Sequence, residues 1–285
     1  QCVLIPSDYE TYSLYSKRMF AIIRRFTPMV EEYSIDEAFA DLSGLRNLYR
    51  CSYEEIAQKI QQTIHRELDI TVSIGVSLSK SLAKLASKWE KPCGLTAIPG
   101  RSIHEFLSQT PIPKVWGFGE NLTHFLHKKG IETAYHYVLK PQTVVHQWLG
   151  KKGDEMWREL RGESVWPIET SLKSSYASIS KFKTFSPATA DPEIVYARLL
   201  RNLESACIKA RRYQLGAKKL SVFLRQQNFH TLGSSLTLSR AEDSPLILNR
   251  FLKHAFVEAF RPRQLYRATG VVLEKLEEIK PIQFC

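Results

Sequence analysis

Apolar residues recur along this chain with two periods, and the changes from one period to the other mark its elements. Tyr12, Tyr15, Met19, Ile22 and Ile23 return every three or four positions, which predicts a helix over 9–25 ended by Thr27-Pro28. Behind the capping residue Ser52, an i, i+4 stripe of Ile56, Ile60, Ile64 and Leu68 predicts a second helix with that stripe in the core. Val72, Ile74 and Val76 then alternate as a strand, and a third helix is expected over 80–89. Strand and helix alternating in this way fit one sheet with helices packed on one side.

Beyond a short polar segment at 170–175, expected to link two domains, the pattern reads strand, helix, strand, strand, helix, strand. The first strand alternates around Tyr176, Ile179 and Phe182. A helix opening on Asp191-Pro192, a cap followed by a first-turn proline, is expected to bury Val195, Leu199, Leu203, Ala206 and Ala210. Two strands follow around Leu220, Val222 and Leu224 and around Leu232, Leu236 and Leu238. The last helix, 245–260, places Leu248, Leu252, Ala255, Phe256 and Ala259 inside, and a strand over 266–273 completes the set. An α+β protein with an open C-terminal sheet and two helices is the expected fold class.

The run Tyr33-Ser34-Ile35-Asp36-Glu37-Ala38-Phe39-Ala40-Asp41-Leu42 stands apart, because Asp36 and Glu37 are adjacent carboxylates in a strand-like apolar stretch. Charge there is costly without a cation or hydrogen bonds, which makes the pair a candidate metal site. Ser34 and Glu37 also have the spacing of a helix capping box. Only Ala38-Phe39-Ala40 separates them from the turn-like Asp41-Leu42-Ser43-Gly44, so a box would have little helix to cap.

Charge adds a polyanion to the picture. The 285 residues carry 40 Lys+Arg against 29 Asp+Glu, a net +11, and residues 174–285 hold 18 basic and 9 acidic residues, hence +9 of it. A basic domain joined to a nearly neutral one points to nucleic acid. At 44% hydrophobic residues a core is available, and no uninterrupted apolar stretch is long enough for a membrane span. Five scattered cysteines without a C-x-x-C pair indicate neither a zinc site nor a disulfide framework, and reduced thiols in the cytoplasm are the simplest reading. The start, Gln1-Cys2-Val3, resembles the interior of a longer reading frame.

Four blocks in order resemble the Y-family translesion DNA polymerases of the UmuC/DinB type: the run 33–42; Thr71-Val72-Ser73-Ile74-Gly75-Val76-Ser77; Lys80-Ser81-Leu82-Ala83-Lys84-Leu85-Ala86-Ser87-Lys88; and Lys91-Pro92-Cys93-Gly94-Leu95. The resemblance continues through Ile112-Pro113-Lys114-Val115-Trp116-Gly117-Phe118-Gly119, similar to the family's helix-hairpin-helix thumb, and through the C-terminal pattern, similar to its little finger. It implies a palm at 1–99, a thumb and linker at 100–173 and a little finger at 174–285. It also implies error-prone, template-directed nucleotidyl transfer past damaged DNA, in DNA repair and the SOS response of the bacterial cytoplasm. Primer–template DNA and dNTP are the implied partners of a monomeric enzyme.

By the same resemblance Asp36 and Glu37 are catalytic and hold magnesium in a two-metal site, and Lys91 contacts the incoming triphosphate. Gly117 and Gly119 approach a backbone phosphate, and Lys181 and Lys183, on one strand face because their spacing is two, are further phosphate contacts. Lys218, Lys219, Arg225 and Arg240 are weaker candidates beside them. Lys80, Lys84 and Lys88 share a helix face and are expected to be a solvated stripe. Trp148, Trp157 and Trp166 are expected in the thumb core, and the histidines take no ligand role. Gln283-Phe284-Cys285 is similar to the first half of a sliding-clamp-binding peptide.

The family's first palm strand, bearing a D-x-D-x-F-F-like sequence with a further metal-binding aspartate, and its fingers are not in these 285 residues. They alone are therefore expected to bind DNA but to polymerise poorly or not at all. The alternatives are a non-catalytic damaged-DNA-binding protein with a decayed palm and, more remotely, an RNA-binding protein using the same basic surface.

Overall fold

The computed structural model describes residues 7–171 and 176–279, together with Val3 and Ile5, so the linker residues 172–175 and the clamp-like peptide at 283–285 lie outside the described residues. The chain forms two compact units, Gln1–Leu172 and Lys173–Cys285.

The first unit opens with α1 (Tyr9–Arg24), capped by Asp8, whose carboxylate accepts the Glu10 and Thr11 amides. Met19, Phe20, Ile22 and Ile23 are buried, whereas Tyr12 and Tyr15, expected inside, are exposed because the buried face turns only on the helix's second half. A tight hairpin, β1 (Val30–Glu32) and β2 (Ala38–Ala40), follows, then a short helix α2 (Leu45–Tyr49) that the apolar pattern does not announce. Next comes α3 (Tyr53–Leu68), capped by Ser52 with Glu55 completing a capping box, and its Ile56, Ile60 and Ile64 pack against α1.

Strand β3 (Ile74–Val76) pairs in parallel with β4 (Leu95–Ala97), and α4 (Lys80–Ser87) crosses between them. A Cβ at Gly75 would lie 2.1 Å from the Ala83 carbonyl oxygen, so the close packing of α4 on β3 requires glycine. The expected single sheet is instead two separate strand pairs, β1–β2 and β3–β4. Each strand spans three residues, too short for its alternation to show which neighbour it pairs with.

The rest of this unit is helical: α5 (Ile103–Ser108), α6 (Glu120–Lys128), α7 (Ala134–Val138) and α8 (Gln142–Leu160). Leu107, Ile112, Leu126, Ile131, Tyr137 and Leu160 form their core together with Leu82 and Leu85 of α4, and Trp148, Trp157 and Trp166 pack against it.

The second unit follows the expected order: β5 (Ser178–Thr189), α9 (Pro192–Arg212), β6 (Leu215–Gln226), β7 (Thr231–Glu242), α10 (Pro245–Ala259) and β8 (Tyr266–Glu278). Its antiparallel sheet runs β5-β8-β6-β7. Leu220, Val222, Leu224, Val271 and Leu273 turn one face of the sheet toward α9 and α10, whose predicted apolar positions are all buried.

Candidate metal site and nucleic-acid interface

Asp36 and Glu37 lie not within a strand but at the turn between β1 and β2. The Glu37 carbonyl accepts the amides of Tyr33 and Ser34 at 3.0 and 3.1 Å and closes the turn. The Ser34 hydroxyl donates to Asp36 Oδ1 at 2.7 Å, so Ser34 orients the acid pair and caps no helix. Asp36 is exposed, while Glu37 is half-buried and ion-paired with Lys84.

That ion pair corrects the expectation for α4. Lys80 and Lys84 do share a face, but their side chains are only 8% and 12% exposed, and they meet Glu31 and Glu37 across the hairpin. Lys80 also donates to the Pro167 carbonyl at 2.6 Å, and Glu31 accepts the Glu169 amide at 2.8 Å. Buried ammonium groups persist where acids and carbonyls replace their water. The stripe is therefore a row of counter-ions beneath the hairpin.

Two adjacent carboxylates offer hard oxygen donors to a divalent cation, and magnesium commonly takes one or two carboxylates with substrate phosphates completing its octahedron. The pair fits that use, although among the described residues no cluster of three or more His, Cys, Asp or Glu surrounds a common point. Lys91 is exposed in the turn between α4 and β4, joined to Pro92 by a cis peptide bond. Gln61 of α3 pins this loop, donating to the carbonyls of Val72 at 2.9 Å and Cys93 at 3.0 Å. No hydrogen bond or ion pair among the described residues links Lys91 to Asp36 or Glu37.

Gly117 and Gly119 sit at the turn into α6. Gly117 has φ +84°, a left-handed conformation that glycine adopts without cost. At Gly119, the N-cap of α6, an added Cβ would meet nothing within 4 Å, and no side chain caps the helix. The first-turn amides are thus accessible to an anion. The exposed Glu120 beside them carries the wrong charge for a phosphate and must point away for one to bind.

Residues 1–88 match the family model described as the impB/mucB/samB family, and residues 176–284 match that family's C-terminal domain. DNA polymerase IV of Moorella thermoacetica is 31% identical over 277 residues, covering 96% of this chain and 68% of that protein. The chain belongs to the Y-family of DNA polymerases. DNA polymerase IV of Streptococcus pneumoniae serotype 4 is 29% identical, over 96% of this chain and 76% of its own length. Among solved structures, a Y-family DNA polymerase chimera covers 96% of this chain and is itself 79% covered, with TM-score 0.77 at 23% identity. An insertion ternary complex of Dbh DNA polymerase gives 0.55 at 22% identity, with 97% and 79% covered.

In this Y-family chain the second unit holds the remaining candidates. Lys181 and Lys183 do share a face, opposite Val271 and Thr269 on β8, but it is the face of buried Ile179, toward the helices. The other face, which no helix of this unit covers, presents Phe182 packed over Gly270, with the Arg225 guanidinium 5.2 Å from the Phe182 ring centre. Lys219 shares that face and pairs with Glu274 at 3.0 Å. Lys218 and Arg240 are also paired, with Glu277 and Glu242. Arg225 carries no ion pair among the described residues, and its alternation with Phe223 and Ser221 is the signal that places it there.

Proposed function

We propose that this chain is part of an enzyme that performs template-directed nucleotidyl transfer in error-prone synthesis past damaged DNA, with Asp36 and Glu37 as two of its catalytic acids and magnesium as the cation they help to hold. The observation that carries this reading is the acid pair at the tip of a closed hairpin turn, with Asp36 oriented by Ser34 and Glu37 by Lys84. Two divalent ions bound there would stabilise the attacking and leaving oxygens of an in-line displacement at the α-phosphate. The carboxylates position that charge, and Lys91 meets the triphosphate as a mobile point charge on a pinned loop. Gly117 and Gly119 admit a primer–template phosphate to the amides of α6, a contact that positions DNA without reading sequence. Arg225, and at the edge of the sheet Lys181 and Lys183, neutralise further phosphates. The relatives' bacterial sources support a bacterial cytoplasmic enzyme, which we take to act as a monomer. No helix of the described residues is long and apolar enough to cross a membrane.

Primer extension with Mg2+ by the enzyme carrying the family's first palm strand and fingers joined to this chain, as wild type and as Asp36→Asn, tests the assignment. Loss of a group that stabilises transition-state charge through a metal removes several kcal/mol, so extension falls by about 10³-fold. Primer–template affinity, carried by other residues, stays within a factor of ~2, because it comes chiefly from phosphate neutralisation. Unchanged extension by Asp36→Asn would reject the site. The relatives do not favour a non-catalytic DNA-binding protein.

A further inference from the structure

The hairpin that carries Asp36 and Glu37 is held on both flanks by one aromatic side chain from outside it. Tyr33, the first residue after β1, meets the Trp116 ring edge-on, with centroids 5.4 Å apart. Phe39, in the middle of β2, meets the same ring at 5.6 Å. Tyr33 and Phe39 also meet each other, at 5.6 Å, so the three rings form a closed triangle around the strand ends that flank the acid pair. Behind it Trp166 stands perpendicular to Trp116 at 5.8 Å, and the Lys80 ammonium lies 5.4 Å from the Phe39 ring centre.

Trp116 is also the residue before Gly117, in the turn that opens α6. Its backbone belongs to the proposed phosphate-binding turn, and its ring touches both flanks of the proposed metal-binding turn. Tyr33 meets both Phe39 and Trp116 edge-on, while Phe39 is tilted 45° to Trp116, and aromatic pairs at these separations contribute beyond the area they bury. A shift of the α6 turn is therefore transmitted to the hairpin through a rigid group.

We propose that Trp116 is a positioning residue, which sets the Asp36–Glu37 turn in register with the backbone phosphate held at Gly117 and Gly119. This inference rests on the assignment of Asp36 and Glu37 as metal ligands. Trp116 touches no reacting atom. Its effect is confined to where the carboxylates stand relative to the bound primer–template.

The test is Mn2+ titration by electron paramagnetic resonance, with primer–template DNA and a nonhydrolysable dNTP, on wild type, Trp116→Ala, Trp116→Phe and Tyr33→Leu. DNA affinity by fluorescence anisotropy and thermal unfolding are measured in parallel. Trp116→Ala weakens Mn2+ binding about tenfold, the effect of losing one edge-on and one tilted ring contact. DNA affinity stays within about twofold, since phosphate contacts carry it. Trp116→Phe recovers most of the loss. Tyr33 is 46% exposed, so its substitution tests the same triangle without opening the core, and it shifts Mn2+ binding in the same direction. Mn2+ affinity unchanged in Trp116→Ala, or in Tyr33→Leu where the alanine variant does not fold, overturns the proposal. Asp36→Asn is the separate control: if it leaves Mn2+ binding intact, the site assignment fails, whatever Trp116 does.

Discussion

Glu159 is a carboxylate with no measurable exposure, and its removal has a cost that the structure lets us work out. It lies near the end of α8, and its Oε2 accepts the Ser81 amide at 3.0 Å in the first turn of α4. Its Oε1 accepts the amides of Val165 at 2.8 Å and Trp166 at 3.1 Å. One side chain thus satisfies an orphan amide of α4 and fastens the segment leaving α8. Hydrogen bonds to a charged group are worth about 1.5–3 kcal/mol each, and the gain is offset by the cost of burying the charge. Glu159→Ala strands one buried and two part-buried donors and opens a cavity, for a net loss of roughly 3–5 kcal/mol, as when one partner of a buried charged pair is removed. Glu159→Gln keeps the volume and one acceptor but sets an amide NH2 against one of the N–H groups, at about 1–3 kcal/mol. All five tryptophans, Trp89, Trp116, Trp148, Trp157 and Trp166, lie in the first unit, so tryptophan emission during urea unfolding reports on that unit alone. The alanine variant should unfold at clearly lower urea and the glutamine variant between it and wild type. An alanine variant within ~0.5 kcal/mol of wild type, the ordinary effect of a surface substitution, would refute the reasoning by showing that desolvation cancels all three bonds.

Two further outcomes follow from the second unit and the thiols. The Ser221 hydroxyl, donating at 2.5 Å, and then Lys219 hold the Glu274 carboxyl below its ordinary value of 4.5. A depressed folded pKa stabilises above the unfolded value and loses that contribution as pH falls through the folded one, so hydrogen-exchange protection of β6 and β8 should decline as pH falls below 4.5. Glu274→Gln should flatten that decline, and an equally steep profile in the variant would remove Glu274 as its source. Burial pushes the Cys207 thiol up to about 12, whereas Cys93 is exposed. Brief iodoacetamide labelling read by mass spectrometry should therefore modify Cys93 and spare Cys207 until unfolding, and prompt labelling of Cys207 would contradict its burial.

The second unit was legible because each element exposes a full period. Twelve- and thirteen-residue strands show their alternation, and α9 and α10 bury the apolar positions read from spacing. In the first unit the four named strands span three residues each, so the existence of strands could be read but not their division into two pairs. The acid pair was legible as a motif. Its orientation was not, because Lys84 reaches Glu37 from 47 residues away.

Both pairs of lysines turn on one physical point. A period states that residues lie on one face of an element, and it does so for Lys80 and Lys84 at helical spacing as for Lys181 and Lys183 at strand spacing. It does not state what the face meets. For the first pair the answer lies in Glu31 and Glu37, which turn a cationic stripe inward. For the second it lies in Ile179, whose burial in the same alternation carries both lysines to the helix side of the sheet. Ile179 was already in view as an apolar position two residues before Lys181, so the register of β5 could have been anchored on it. Nothing comparable pointed to Trp116, whose importance depends on two ring contacts to a hairpin some eighty residues earlier in the chain. Where long-range partners decide the role of a charged or aromatic side chain, local spacing narrows the possibilities to a face, and the partner then selects the function.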